Sequence, residues 1–139
     1  MFPNTLFRTT LSLALLIILG CGSAPEGPET VSVSGEVTFD GEPVESGDII
    51  FRPQTGSGRS YAGKIENGSY QFEVESGEKR VEITAHKGSG QMDDSNPDEA
   101  TEILHQYLPS QYNADTNLSA SVGQDGESGL DFELKSDGT

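Results

Sequence analysis

A single cysteine, no tryptophan and few cations set the limits on this chain of 139 residues. One cysteine rules out an internal disulfide, so the fold must stand on its apolar core. Only 8 basic residues oppose 23 acidic ones, and the net charge of -15 repels phosphate backbones, which argues against a nucleic-acid partner. Long hydrophobic runs are also missing. The most apolar stretch, "TTLSLALLIILG" at positions 9–20, would make a helix of roughly 18 Å, short of the ~30 Å hydrocarbon layer a permanent span must cross. Without tryptophan, sugar binding by ring stacking would fall to Tyr107 and Tyr112, the aromatics expected outside the core.

The same short apolar stretch has a positive start, with Arg8 as the only charged side chain before Cys21, and a small residue, Gly20, at its end. That is the layout of a secretory signal peptide over residues 1–20. The segment resembles a bacterial lipoprotein signal, with Ile18, Leu19, Gly20 and Cys21 standing as its lipobox. The resemblance implies that the thiolate of Cys21 accepts a diacylglycerol, that cleavage falls between Gly20 and Cys21, and that the new amino group is acylated. Sulfur suits the task because a thiolate is nucleophilic near neutral pH where a serine hydroxyl is not. One acyl chain holds marginally and two hold stably, at about 0.8 kcal/mol per buried methylene. Gly22, where aspartate would favour retention at the inner membrane, points by the same resemblance to the outer membrane or cell surface. Residues 21–30 then read as a lipidated cysteine followed by a flexible Pro- and Gly-rich linker.

From Val31 the pattern changes to strict alternation. In "VSVSGEVTF" the residues Val31, Val33, Val37 and Phe39 share one face and polar residues the other. The same period of two places Tyr70, Phe72 and Val74 inward, then Val81, Ile83 and Ala85, then Leu118, Ala120 and Val122, then Leu130, Phe132 and Leu134. "GDIIFRP" and "RSYAGKIE" add two less regular strands. Turn residues punctuate these runs: Asp40-Gly41, Asn67-Gly68 and Ser76-Gly77. The expectation is an all-β domain over residues 31–135, an antiparallel β-sandwich of about seven strands, ending in a disordered tail at 136–139.

One segment reads differently. In "NPDEATEILHQYLP" the residues Ala100, Ile103, Leu104, Tyr107 and Leu108 fall at helical spacing behind Asn96, Pro97 and Glu99, which carry N-terminal helix signals. A short crossover helix is therefore expected near 97–107, with "KGSGQMDDSN" before it as a mobile polar loop.

Several short elements together carry a resemblance: the Ser-Gly opening strand, Asp40-Gly41 with Pro43, Gly47, Asn67-Gly68 with Tyr70, and Pro109 with Tyr112-Asn113. From Val31 to about Leu134 the chain resembles the small lipoproteins of planctomycete-type bacteria that carry a carboxypeptidase regulatory-like, transthyretin-like domain. The resemblance implies a prealbumin-like sandwich without catalytic residues of its own. Gly77, Glu78 and Lys79 depart from the Gly-x-Tyr common there, removing an aromatic core contact.

Motifs for chemistry are incomplete. Gly58, Gly63 and Lys64 begin a phosphate-loop pattern, but Ile65 stands where a hydroxyl would hold magnesium. Asp94, Asn96 and Asp98 begin a calcium-loop pattern that Glu99 and His105 break. An irregular calcium site from Asp93, Asp94, Asp98 or Glu99 is the alternative to a solvated acidic loop. His86 and His105 are too few for zinc, and no Gly-x-Ser-x-Gly elbow occurs. The expected function is a lipid-anchored, non-catalytic envelope module with no cofactor. Its expected partners are the membrane and an envelope protein, with a small-ligand or calcium binder as the alternative and the oligomeric state left open.

Overall fold

The computed structural model describes residues 27–95 and 100–137. Ile18, Leu19, Gly20 and Cys21, with the expected signal helix, lie outside the described residues, as do Asn96, Pro97, Asp98 and Glu99. The strands are β1 (Val31–Phe39), β2 (Glu42–Pro43), β3 (Ser46–Pro53), β4 (Tyr61–Glu66), β5 (Ser69–Val74) and β6 (Gly77–Asp93). After them come β7 (Thr101–Gln106), a 3-10 turn at Ser110–Tyr112, β8 (Ser119–Val122), β9 (Glu127–Ser128) and β10 (Phe132–Leu134).

Seven strands form the main path in the order β10-β1-β5-β4-β3-β6-β7, with β2 and β9 added to β1 and β8 added to β6. The sheet curls into a half-barrel, so the body is all-β and sandwich-like. Two glycine-containing turns set its register. Asp40 and Gly41 have φ of 51° and 85°, and Asn67 and Gly68 have φ of 51° and 82°. Consecutive positive φ values make the tight turn whose twist matches a hairpin. Beyond the second turn, Ile65 pairs with Tyr70 and Glu66 with Ser69. That turn also locks onto β1, because the Val37 N–H donates to the Gly68 carbonyl at 2.7 Å.

Alternation in sequence becomes one buried face. Val33, Val37, Ile49, Phe51, Val74, Val81, Ile83 and Ala85 are fully enclosed, and Phe132 and Leu134 close the core from β10. Phe51 sits at its centre, with its ring 5.2 Å from that of Phe72 and 6.5 Å from those of Tyr70 and Phe132. Lys79 occupies an inward register position and is only 4% exposed; its methylene stem fills the place of an apolar residue.

Three expectations are corrected. Among the described residues of the crossover helix expected near 97–107 no helix forms: Thr101–Gln106 is strand β7, pairing antiparallel with the far half of β6. Helical spacing of apolar residues was a weak guide here because Ile103 and Leu104 enter no core at all and are 43% and 62% exposed; tertiary pairing overrides local propensity. The polar loop expected before it is strand as far as Asp93, where β6 ends. Finally, pairing is not wholly antiparallel, because β1 takes β9 and β10 in parallel. Both follow β8 through short connections and run in the direction of β1.

Candidate functional site

Two regions stand out from the polar surface. The first is an open trough of about 780 Å³ over the outer faces of β1, β4 and β5, lined among others by Ser34, Glu36, Lys64, Glu66, Gln71 and Asp131. Its floor exists because Gly35 lacks a side chain: a Cβ there would collide with the Leu130 carbonyl. The Tyr70 hydroxyl donates to that carbonyl at 2.6 Å. Burial, and secondarily the charge of Asp131, push the Tyr70 hydroxyl pKa well above its ordinary value, so it stays a proton donor. Asp131 Oδ1 accepts the Glu36 N–H at 2.8 Å, and Lys64 Nζ pairs with Asp48 Oδ1 at 2.5 Å. These bonds tie β1 and β5 to the segment between β9 and β10 and tie β4 to β3, which makes the trough a structural seam.

The second region is a projecting arm. Strand β3 meets β6 only as far as the Gly47 to Ala85 pair. Past Ala85, β6 continues with β7 as its partner, through His86 to Gln106, Lys87 to His105, Gly88 to Leu104, Met92 to Glu102 and Asp93 to Thr101. At about 3.3 Å per residue this two-stranded arm reaches roughly 20 Å beyond the body. A register shift between Gly88 and Met92 marks a bulge, and there the Glu102 carboxylate lies against Gly88 and accepts the Gly90 N–H at 3.0 Å. Every described residue from His86 to Ser95 and from Ala100 to His105 is exposed, including Met92 at 54%. At the root, Tyr107 packs edge-on against Phe39 at 5.8 Å with Lys87 Nζ 5.0 Å from its ring centre. Partial burial, then the nearby Glu45 charge, raise the Tyr107 pKa.

The singled-out residues do not converge. His86 and His105 are consecutive-pair neighbours on opposite faces of the arm, and no group of three His, Cys, Asp or Glu able to hold a metal occurs among the described residues. Asp93 accepts the Ser95 N–H at 3.0 Å, and hydrogen bonding to Ser95 lowers its pKa. Gly63, Lys64 and Ile65 lie within β4, with Gly58 in the loop before it, which is not the strand-loop-helix that a phosphate loop requires. Tyr112 is not an exposed aromatic: it is 9% exposed, and its hydroxyl donates to the Lys135 carbonyl at 3.0 Å while accepting the Lys135 N–H at 2.8 Å. The Pro109-x-x-Tyr112-Asn113 stretch contains a 3-10 turn at Ser110–Tyr112, and its Tyr112 reaches Lys135, the residue after β10. Composition gave no signal for the arm, since its strands bury nothing that alternation could report.

No family model matches the chain, and no curated protein matches it. Among solved structures, a DUF3823 family protein from Parabacteroides merdae aligns with TM-score 0.37 and 11% identity, over 78% of this chain and 47% of its own. The chain thus spans about half the length of that protein. A likeness so distant bears on neither family nor activity. Among the described residues no helix is long and apolar enough to cross a membrane.

Proposed function

We propose that this chain is a lipid-anchored, non-catalytic β-sandwich of the cell envelope, held at the outer membrane or cell surface and serving as a structural or protein-interaction module. The observation that carries the reading is the sole cysteine, Cys21, following Ile18, Leu19 and Gly20 at the end of a short apolar stretch. The resemblance to planctomycete-type lipoproteins with a carboxypeptidase regulatory-like domain belongs to the same reading.

The placement of the arm supports it. The chain enters the body at Val31, beside Val74, the strand end that also carries Phe51 opposite Tyr61 and Gly77 opposite Val122. The arm leaves from the other end, past Gly47 and Ala85. A body tethered through residues 21–30, a linker able to extend roughly 30 Å, would therefore offer its exposed apolar side chains away from the bilayer.

Labelling of growing cells with palmitate tests the anchor. The native chain should take up label and partition with detergent, and Cys21→Ser should lose both. Label uptake by Cys21→Ser would refute the reading. The alternative of a small-ligand or calcium binder separates by melting: flat melts with calcium favour the interaction module, and a calcium-dependent rise in Tm favours the alternative.

A further inference from the structure

The two edges of the main sheet are finished differently. Just past β10 the Tyr112 hydroxyl takes both main-chain groups of Lys135. At β7 nothing comparable occurs among the described residues. The Tyr107 N–H donates to the Ala85 carbonyl at 3.1 Å, and alternation along an antiparallel strand then turns the N–H and C=O groups of Gln106, Leu104 and Glu102 away from β6. Edges left open are normally blunted by charged side chains, above all lysine, by proline, by bulges or by covering loops; the bulge here lies in β6, and the carboxylate of Glu102 is turned back onto Gly90. Strand β7, "TEILHQ", carries neither lysine nor proline, and its Ile103 and Leu104 are exposed.

We infer that β7 is a docking edge for a second copy of this chain, joined antiparallel about a two-fold axis through Leu104. The residues of β7 are matched to that pairing. A two-fold axis normal to an antiparallel pair keeps each face on its own side, so partners must be separated by an even number of residues. Centring on Leu104 sets it opposite Leu104 of the second copy, Glu102 opposite Gln106, and Ile103 opposite His105. No carboxylate faces a carboxylate, and an apolar pair occupies the centre. This register also closes the outward main-chain groups of Glu102, Leu104 and Gln106 at once, whereas centring on Ile103 leaves Gln106 without a partner inside β7. The net charge of -15 opposes association, so added salt, by screening that repulsion, strengthens it. Antiparallel pairing about that axis turns the two arms in opposite directions, so the second copy is one anchored on a facing surface, and the pairing itself does not depend on the lipid.

The full chain in detergent, carrying Cys21→Ser, has no other thiol, so single cysteines report contact. Leu104→Cys should form a disulfide-linked dimer at micromolar concentration at least fivefold faster than Ser57→Cys or Glu102→Cys. Paired Cα atoms at ~5.5 Å suit a disulfide, and Glu102 faces Gln106. In sedimentation equilibrium, self-association should tighten with salt and weaken tenfold or more with Leu104→Lys, at unchanged Tm. Equal cross-linking at residues 104 and 57, association indifferent to Leu104→Lys, or a monomer that pairs only with another protein's strand would each overturn the inference. Because palmitate labelling is read separately, either result stands apart from the fate of the anchor.

Discussion

The body and the arm of this protein share one strand, β6, and obey different rules along it. From Lys79 to Ala85 alternate side chains are buried, with β3 along one edge and β8 on the other as far as Arg80. From His86 to Asp93 every side chain is exposed and one edge has no partner among the described residues. The first half is held by the hydrophobic effect, the second by main-chain hydrogen bonds and one bulge. Stability and display are thereby separated: the body can lose little, and the arm can vary with small consequence for folding.

The sharpest break in that comparison is Phe51→Ala. Phe51 is fully buried, and its loss should cost about 3–5 kcal/mol in urea unfolding; a cost near zero would mean the core is not where the body's stability resides. Next comes Thr116→Val. The buried Thr116 hydroxyl donates to the Val81 carbonyl at 2.7 Å and accepts the Leu118 N–H at 3.1 Å, stitching the edge of β6 between β7 and β8. Removing it should cost about 1–3 kcal/mol by the same measurement.

A pH titration separates the halves by another route. Tyr70 in the body has its pKa raised by burial from an ordinary value of 10.0. As pH climbs past about 10 the unfolded chain releases this proton while the folded chain keeps it, so the contribution is complete below that pH and lost above it. Stability should fall there by up to about 1.4 kcal/mol per pH unit, and Tyr70→Phe should flatten the slope, leaving the smaller parts due to Tyr107 and Tyr61, whose pKa values are also raised. The smallest effect belongs to the arm: Leu104→Ser should change unfolding free energy by less than about 0.5 kcal/mol, against the large loss at Phe51.

This division also governs how much could be read from the sequence. Strand β1 was legible residue by residue, because Val33 and Val37 are buried and a period of two reports burial. The Asn67-Gly68 turn was legible because only a few residues accept two positive φ angles in succession. Strand β7 was not, since Ile103 and Leu104 point to opposite faces and neither enters the core; their spacing matched a helix without any helix to stabilise. The parallel arrival of β9 and β10 at β1 depends on long-range closure that no local pattern encodes. The proposed anchor motif stands in adjacent residues outside the described structure, while the open edge of β7 emerges only from the ladder.

The measurement that bears most directly on the proposed role is the mass of the N-terminal peptide of the protein isolated from its own envelope. An acylated peptide beginning at Cys21 is the expected result. A peptide beginning at Met1, with an unmodified thiol at residue 21, would contradict it.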